Sequence, residues 1–578
     1  MSSSRIFRLI VGLALLALFI WFARGAWSTG PTGTPQDTVA GAERRGGTLR
    51  ATYSTEPTNF LRFADATTGA NLMVSLLTQD TLVRALPNGE LEARLAESWS
   101  PSEDGLTWAL KLRPELRFSD GAPLTSADVV FSVRAALASA SAGDLKVGEA
   151  PVTVRALDAQ RLVIIFPVPY GPGLAMFDQV PILPSHKLQT ALDTGTLLTA
   201  WAASTPVSEV VGAGPFIFQE YSPGQRLRFV RNPHFHGLDA SGTALPYLDG
   251  IDMAIVPEHS AEILRLQAGD TDVTTDRVFA DDLAGLQQAE TTGTVQVVDA
   301  GPLLDVSTFW FNLKPGAPAG TSRPWLVAPE FRRAISHAVN RQAIVDTVFL
   351  GEAVPAYGPV TAGFGRWMAP DLPITEFDLT RARTLLTSIG LTDRDGDGIL
   401  DDAAGQPVRF SVITRSGQPE RERTMAVVQE QLRPVGVRMD IVGLAAGDII
   451  RRFGEGDSDA IYFGTRITTM DPIGSMSFWT SSGPMHFWNP GQASPATEWE
   501  ARIDTLMRQQ AATVDVAQRR RLFHEAQQIL AVELPALWFV APRYTVAVSS
   551  RLRGVTPRIF FPPILWNAEQ LWLADGGR

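Results

Sequence analysis

Apolar and polar positions alternate in short runs, and between those runs apolar residues recur at three- and four-residue spacing. Leu106–Leu112 (Leu-Thr-Trp-Ala-Leu-Lys-Leu) puts apolar side chains at every second position, the period of a half-buried strand. The glycines Gly46 and Gly47 precede an extended run from Thr48 to Tyr53. Val152–Leu157 and Arg161–Phe166 read as a hairpin turned at Asp158-Ala159-Gln160, and Phe216–Tyr221 and Gln225–Arg231 as another around Ser222-Pro223-Gly224. Ile251–Val256 and Val408–Thr414 read as further strands. Helical spacing appears over Ala70–Thr81, Ala127–Ala138, His259–Ala268, Glu330–Ala338, Gln342–Phe349, Leu379–Ile389, Glu420–Val435 and Val514–Ala531. Thr125 or Ser126 can cap the second of these, with Asp128 near its positive end. Mixed elements in this order predict α/β lobes with mixed sheets. No period of 20–50 residues recurs, which argues against a solenoid or propeller.

The first residues follow a different pattern. Arg5 and Arg8 precede an apolar run from Leu9 to Ala23, which Arg24 ends. A basic flank before such a run fits an export signal. The run is short for a spanning helix of ~20 residues, yet Trp21, Phe22 and Trp27 sit where interfacial aromatics would. Residues 1–24 are therefore read as a signal peptide or an uncleaved N-terminal anchor, the latter through residues 6–23. Either places the rest outside the cytoplasm, periplasmic or otherwise extracytoplasmic. Residues 25–44 are rich in Gly, Thr, Pro and Ala and read as a flexible linker.

Composition narrows the function. At 578 residues the chain is long enough for about four lobes or domains. The net charge of −11 opposes binding to a nucleic-acid backbone, so no nucleic-acid partner is expected. The absence of cysteine removes disulfides, zinc–thiolate sites, iron–sulfur clusters and cysteine nucleophiles.

Motifs of bond-making chemistry are incomplete. Val211-Gly212-Ala213-Gly214-Pro215-Phe216 has two glycines, but a proline and a strand follow, so no helix N-terminus is offered to a phosphate. His524-Glu525-Ala526-Gln527-Gln528 starts like a zinc-protease helix and carries Gln528 where the second ligand belongs. His234-Phe235-His236 supplies two ligands at most. A sharper signal is Asp393-Arg394-Asp395-Gly396-Asp397-Gly398-Ile399-Leu400-Asp401, which matches the start of a calcium loop. Asp393, Asp395, Asp397 and Asp401 would be the ligands, but the twelfth position is Ala404, not glutamate. The alternative is an Asp/Gly turn between a helix and a strand. No other cofactor is expected. Among 14 tryptophans, Trp310, Trp479 and Trp488 stand near Gly or Pro or outside helical stripes, as side chains of a ligand cleft can.

The order of several segments resembles a known family. Arg45-Gly46-Gly47-Thr48-Leu49 opens it, and Leu82–Trp99 follows with Leu-Pro-Asn-Gly-Glu-Leu-Glu-Ala-Arg-Leu-Ala-Glu-Ser-Trp. Next come Asp104-Gly105-Leu106-Thr107-Trp108, Phe118-Ser119-Asp120-Gly121 and Leu124–Ser132. Gly212–Phe216, Arg231-Asn232-Pro233, Phe331–Arg341, Ala382–Leu386 and Glu533–Leu537 continue the series. Residues 45–578 thus resemble the extracytoplasmic solute-binding proteins of ABC peptide importers, solute-binding protein family 5, the group with oligopeptide-, dipeptide- and nickel-binding members.

The resemblance implies an α/β two-lobe clamp of the periplasmic-binding-protein kind, with a subdomain inserted in the first lobe. By analogy lobe I comprises 45–90, 205–300 and 545–578, the insertion 91–204 and lobe II 305–540. Hinges would lie near Gly301–Val306 and Val540–Thr545. It implies a monomer, not an enzyme, that holds a peptide or small-molecule ligand and docks on ABC permease subunits with their ATPases. A membrane-anchored sensor without import and a hydrolase on this fold are the other readings. The cleft residues implied are Tyr53, Glu56, Trp310, Asn312, Arg466, Thr468, Asp471, Trp479 and Trp488. In peptide-binding relatives an acidic residue three positions before an Asp/Glu-Pro pair grips the ligand's ammonium. Here the pair is Asp471-Pro472 and that position is Thr468, with Arg466 beside it. This departure predicts weak binding of zwitterionic peptides and better binding of ligands with a carboxylate and no free amine.

Overall fold

The computed structural model describes residues 44–64, 69–139, 145–147, 150–315, 323–455, 457–464, 469–560 and 562–574. The export-signal or anchor segment lies outside the described residues, as do Arg466 and Thr468. Among the described residues no helix is long and apolar enough to cross a membrane.

Three sheets organise the chain. The largest has the order 216–222, 226–231, 250–255, 48–53, 273–274, 540–549 and 295–302, with 353–355 paired to the start of 540–549. Thr48–Tyr53 runs parallel to both Gly250–Ile255 and Val273–Thr274, and the remaining pairs are antiparallel. Thr48–Tyr53 is buried along most of its length, as expected of a strand flanked on both sides. The second sheet has the order 438–444, 409–415, 460–463, 308–311 and 536–538 and is also mixed. The third is an antiparallel four-stranded sheet of Ala96–Pro101, Thr107–Leu112, Arg161–Ile165 and Thr153–Ala156. It belongs to the inserted subdomain and shares one hydrophobic core with the large sheet. The second sheet builds two further cores. The result is an α/β two-lobe clamp with mixed sheets and an insertion in the first lobe.

The chain passes between the lobes twice. It leaves the large sheet at Pro302 and enters the second at Thr308, then leaves the second at Trp538 and re-enters the large one from Val540.

Local chemistry accounts for several elements. Ser126–Leu137 starts at Thr125, whose amide donates to Asp128 Oδ2 at 2.9 Å. The Arg161–Ile165 hairpin is turned by Asp158, whose Oδ1 accepts the amides of Gln160 and Arg161. The Gly212-Ala213-Gly214 segment is a packing device. The Gly214 amide donates to Thr78 O at 3.0 Å, and a Cβ on Gly212 would sit 2.0 Å from that same oxygen. Those glycines let the chain lie against the end of helix Gly69–Thr78.

Candidate ligand-binding cleft

A cavity of about 1330 Å³ lies between the lobes. Residues from Arg62 to Arg94, the inserted subdomain around Tyr170–Pro181, and Arg558–Glu569 form one wall. Arg366, Trp367, Thr469–Asp471, Met476 and Arg508 form the other. The volume exceeds the ~300–1,000 Å³ usual for small-molecule pockets.

The lobes touch beside the cavity. The Gly171 amide of the subdomain donates to Ala511 O at 2.6 Å. Arg277 and Arg423 form ion pairs with Glu420 and Asp281 at 2.8 and 3.0 Å, joining the first lobe to helix Pro419–Leu432 of the second.

A buried charge network supports the first-lobe wall. Arg94 holds Asp80 through two contacts of 3.0 and 3.1 Å, and His236 Nε2 lies 2.9 Å from Asp80 Oδ2. Arg94 also pairs with Glu569 at 2.8 Å, and Glu569 with Arg84 at 2.7 Å. Burial works against the Asp80 charge, but Arg94 and His236 hold its carboxyl far below the usual range. Glu569 is likewise lowered, by Arg84 and Arg94 against the cost of burial. His236 is therefore a partner of Asp80.

The sequence-predicted site residues divide sharply. Asp471 lines the cavity. Its carboxylate, however, is gripped by Arg519 at 2.6 and 2.8 Å, and its Oδ1 also accepts the Ile473 amide. Glu56 does not line it: its oxygens accept the Tyr221 hydroxyl at 3.0 Å and the Gly224 amide. Tyr53 is buried in the first-lobe core. Asn312 is buried too, donating to Ser458 O at 2.8 Å and accepting from the Lys314 amide at 3.1 Å.

The three tryptophans form core, not cleft surface. Trp310 stacks on Trp488 with centroids 6.0 Å apart and meets Phe478 and Phe487 edge-on. Trp488 Nε1 donates to Glu500 Oε1 at 3.0 Å. Burial opposes the Glu500 charge, yet hydrogen bonds from His486, Trp488 and the Ala496 amide hold it below the ordinary carboxylate range. Trp479 packs against Phe523 and donates to Ser475 Oγ. The tryptophans that do line the cavity are Trp367 and Trp566. Neither neighbourhood carried a sequence signal separable from core, since a tryptophan beside Gly or Pro is compatible with both.

Among the described residues, seven basic side chains line the cavity: Arg62, Arg84, Arg94, Lys146 and Arg558 from the first lobe and its subdomain, Arg366 and Arg508 from the second. Against them stand four acidic ones, Asp80, Asp178, Asp471 and Glu569.

Away from the cavity, Asp393, Asp395 and Asp401 bring carboxylate oxygens within 4.8 Å of one another. Asp397 does not join them; its Oδ1 accepts the Ile399 amide at 2.7 Å. Asp393 accepts the Gly396 and Gly398 amides, so the loop is also a hydrogen-bonded turn. Three carboxylates of this kind match the hard-oxygen preference of calcium, while the missing bidentate glutamate does not.

Residues 90–487 match the family model of bacterial extracellular solute-binding proteins, family 5, middle region. The oligopeptide-binding protein AppA of Bacillus subtilis is 25% identical over 97% of each chain. The probable D,D-dipeptide-binding periplasmic protein DdpA of Escherichia coli is 25% identical, covering 80% of this chain and 82% of that protein. Among solved structures, NikA of Brucella suis in complex with Fe(III)-EDTA superposes with a TM-score of 0.75 at 21% identity, covering 91% of this chain and 99% of that one. With more than half of its length matched by the family model, and with the fold of that family, the chain belongs to the bacterial extracellular solute-binding proteins of family 5.

Proposed function

We propose that this chain captures a peptide or similar small solute between its lobes and delivers it to the permease of an ABC importer, whose ATPases drive uptake. The single observation that carries this is the large cavity bounded by both lobes. A ligand that touches both walls stabilises the apposed form by its differential contacts, which makes closure a signal that a permease can read. The names of relatives that bind oligopeptides and D,D-dipeptides support the solute class. In this reading lobe I comprises 45–90, 205–300 and 545–578, the insertion 91–204 and lobe II 305–540. The two crossings near Gly301–Val306 and Val540–Thr545 act as hinges. The chain makes and breaks no bond in its ligand and works as a monomer. Residues 1–24 export it, and if uncleaved they hold it at the membrane.

The experiment is mass spectrometry of small molecules released on denaturing natively purified protein, paired with small-angle scattering before and after refilling. A retained solute whose return compacts the protein is expected. A chain that retains nothing and never changes its radius of gyration would overturn the reading.

A further inference from the structure

The cavity wall is electrostatically lopsided, and in the opposite sense to the chain as a whole. Basic side chains outnumber acidic ones along it, in a protein of net charge −11. Its acidic side chains are also engaged. Asp80 is held by Arg94 and His236, Glu569 by Arg84 and Arg94, and Asp471 by Arg519. Asp178 accepts the Ala85 amide at 2.9 Å and the Gln179 side chain. A ligand ammonium at Asp80, Glu569 or Asp471 would have to displace one of these partners, and leaving a buried arginine unpaired is costly.

The cations are engaged as well, Arg84 with Glu92 and Glu569, Arg94 with Asp80 and Glu569, and Arg62 with the Gln179 side chain, but they outnumber the carboxylates and converge. Arg84 and Arg558 lie over the same indole, with guanidinium carbons 5.0 and 5.5 Å from the Trp566 ring centroid. Arg558 also lies 4.4 Å from the Phe560 centroid, so aromatic faces fix its fork against the wall. Its Nε donates to Pro562 O at 2.9 Å. Burial pushes the Arg558 guanidinium down to about 9, and while Asp178 offsets part of this, Arg84 and Arg62 add to it. Positive charge is therefore concentrated where an anion would relieve it.

We propose that the first-lobe wall around Arg558, Arg84 and Arg62 receives an anionic group of the ligand, so that the protein selects carboxylate- or phosphate-bearing solutes over peptides that depend on a free amino terminus. The proposal rests on the reading of this cavity as the ligand chamber. Guanidinium forks suit both anions, which is why the shared chemistry is named.

The test is calorimetric titration of the full chain with four probes: N-acetyl-tetraalanine, tetraalanine, tetraalanine amide and glucose 6-phosphate. The acetylated, anionic peptide or the phosphate should bind about tenfold or more tighter than tetraalanine, with the amide weakest. Raising NaCl from about 50 to about 500 mM should weaken the anion more than the zwitterion. Arg62→Gln and Arg558→Met should each reduce the anion preference by about tenfold. Should the buried Arg558 variant fail to fold, the Arg62 variant decides the matter. A response to glucose 6-phosphate alone identifies the group as phosphate, and to the acetylated peptide alone as carboxylate. Tetraalanine or its amide binding as tightly as the anions, indifferent to Arg62→Gln, overturns the proposal, and so does failure of all four probes. That failure is distinguishable from failure of the capture reading, because a solute released from natively purified protein would leave capture intact.

Discussion

Asp471 and Arg519 face each other across two contacts of 2.6 and 2.8 Å, so the carboxylate of the Asp471-Pro472 pair is held by a buried arginine of its own lobe. Arg519 is almost wholly buried, donates also to Gln510 O and Gln510 Oε1, and lies over the Trp367 ring. Its charge therefore needs Asp471. Asp471→Ala should cost about 3–5 kcal/mol of stability, the size seen when one partner of a buried ion pair is removed. The double variant Asp471→Leu/Arg519→Met should be closer to wild type than Asp471→Ala alone. Urea denaturation of the three proteins checks this. If Asp471→Ala proved neutral, the pair would be incidental.

Gly171 sets how closely the lobes meet. A Cβ there would lie 2.3 Å from Thr513 O and 2.7 Å from Arg519 Nε, both in the second lobe. Gly171→Val should leave each lobe folded, because the clash falls between them. Scattering should report a larger radius of gyration, and the affinity for any probe that the wild type binds should fall by about tenfold or more. Unchanged affinity together with unchanged dimensions would show that the interface relaxes around the side chain.

Most elements were legible in the sequence, whereas most of the site was not. Helices such as Ser126–Leu137 and Leu379–Ser388, and the hairpins at Asp158 and Pro223, appear within a residue or two of their patterned runs because capping and turn residues mark them. The strands Thr308–Phe311 and Ala460–Phe463 carry no alternation, being buried on both faces of the second sheet. The site failed for a related reason. Trp310 and Asn312 lie on or next to the strand Thr308–Phe311, Trp488 packs onto Trp310 from a turn, and nothing local to a sequence separates a core tryptophan from one on a cavity wall. Arg558 and Trp566 were invisible because they come from the irregular C-terminal segment, brought against Arg84 from the far end of the chain, as the Arg84–Trp566 O hydrogen bond of sequence separation 482 shows.

The Asp393–Asp401 loop makes a thermal prediction. Three carboxylates within 4.8 Å repel one another, and a bound calcium would relieve this. We propose that calcium raises the melting temperature, that EDTA reverses the rise, and that Asp395→Ala abolishes the difference. Magnesium should do less, since it demands a near-octahedral shell. Superimposable melting curves with and without chelator would reduce the loop to the turn its backbone hydrogen bonds already describe. The effect should not alter ligand affinity, because the loop lies within one lobe and outside the cavity lining.

Glu262 makes stability depend on pH. It sits on helix His259–Gln267 with its side chain fully buried. Burial pushes its carboxyl up to about 7, the Asp276 charge adds to this, and Thr52 and His259 offset it only in part. His259 itself is paired with Asp282 at 2.6 Å. The native protein thus keeps a proton on Glu262 that the unfolded chain, with its ordinary value of 4.5, has lost. The stability this contributes is full at pH values below 4.5 and is lost as pH rises through about 7. His259 is raised by its Asp282 partner, so its contribution is also lost as pH rises, and its own variant is needed as a control. Glu262→Gln should therefore gain roughly 1–3 kcal/mol over wild type at alkaline pH, since each tenfold change in proton affinity is worth ~1.4 kcal/mol, and little near pH 4. His259→Gln should not reproduce that gain. Urea denaturation of the three proteins from acid to alkaline pH gives the answer, and parallel curves for wild type and Glu262→Gln would mean that the carboxyl ionises normally in the folded protein.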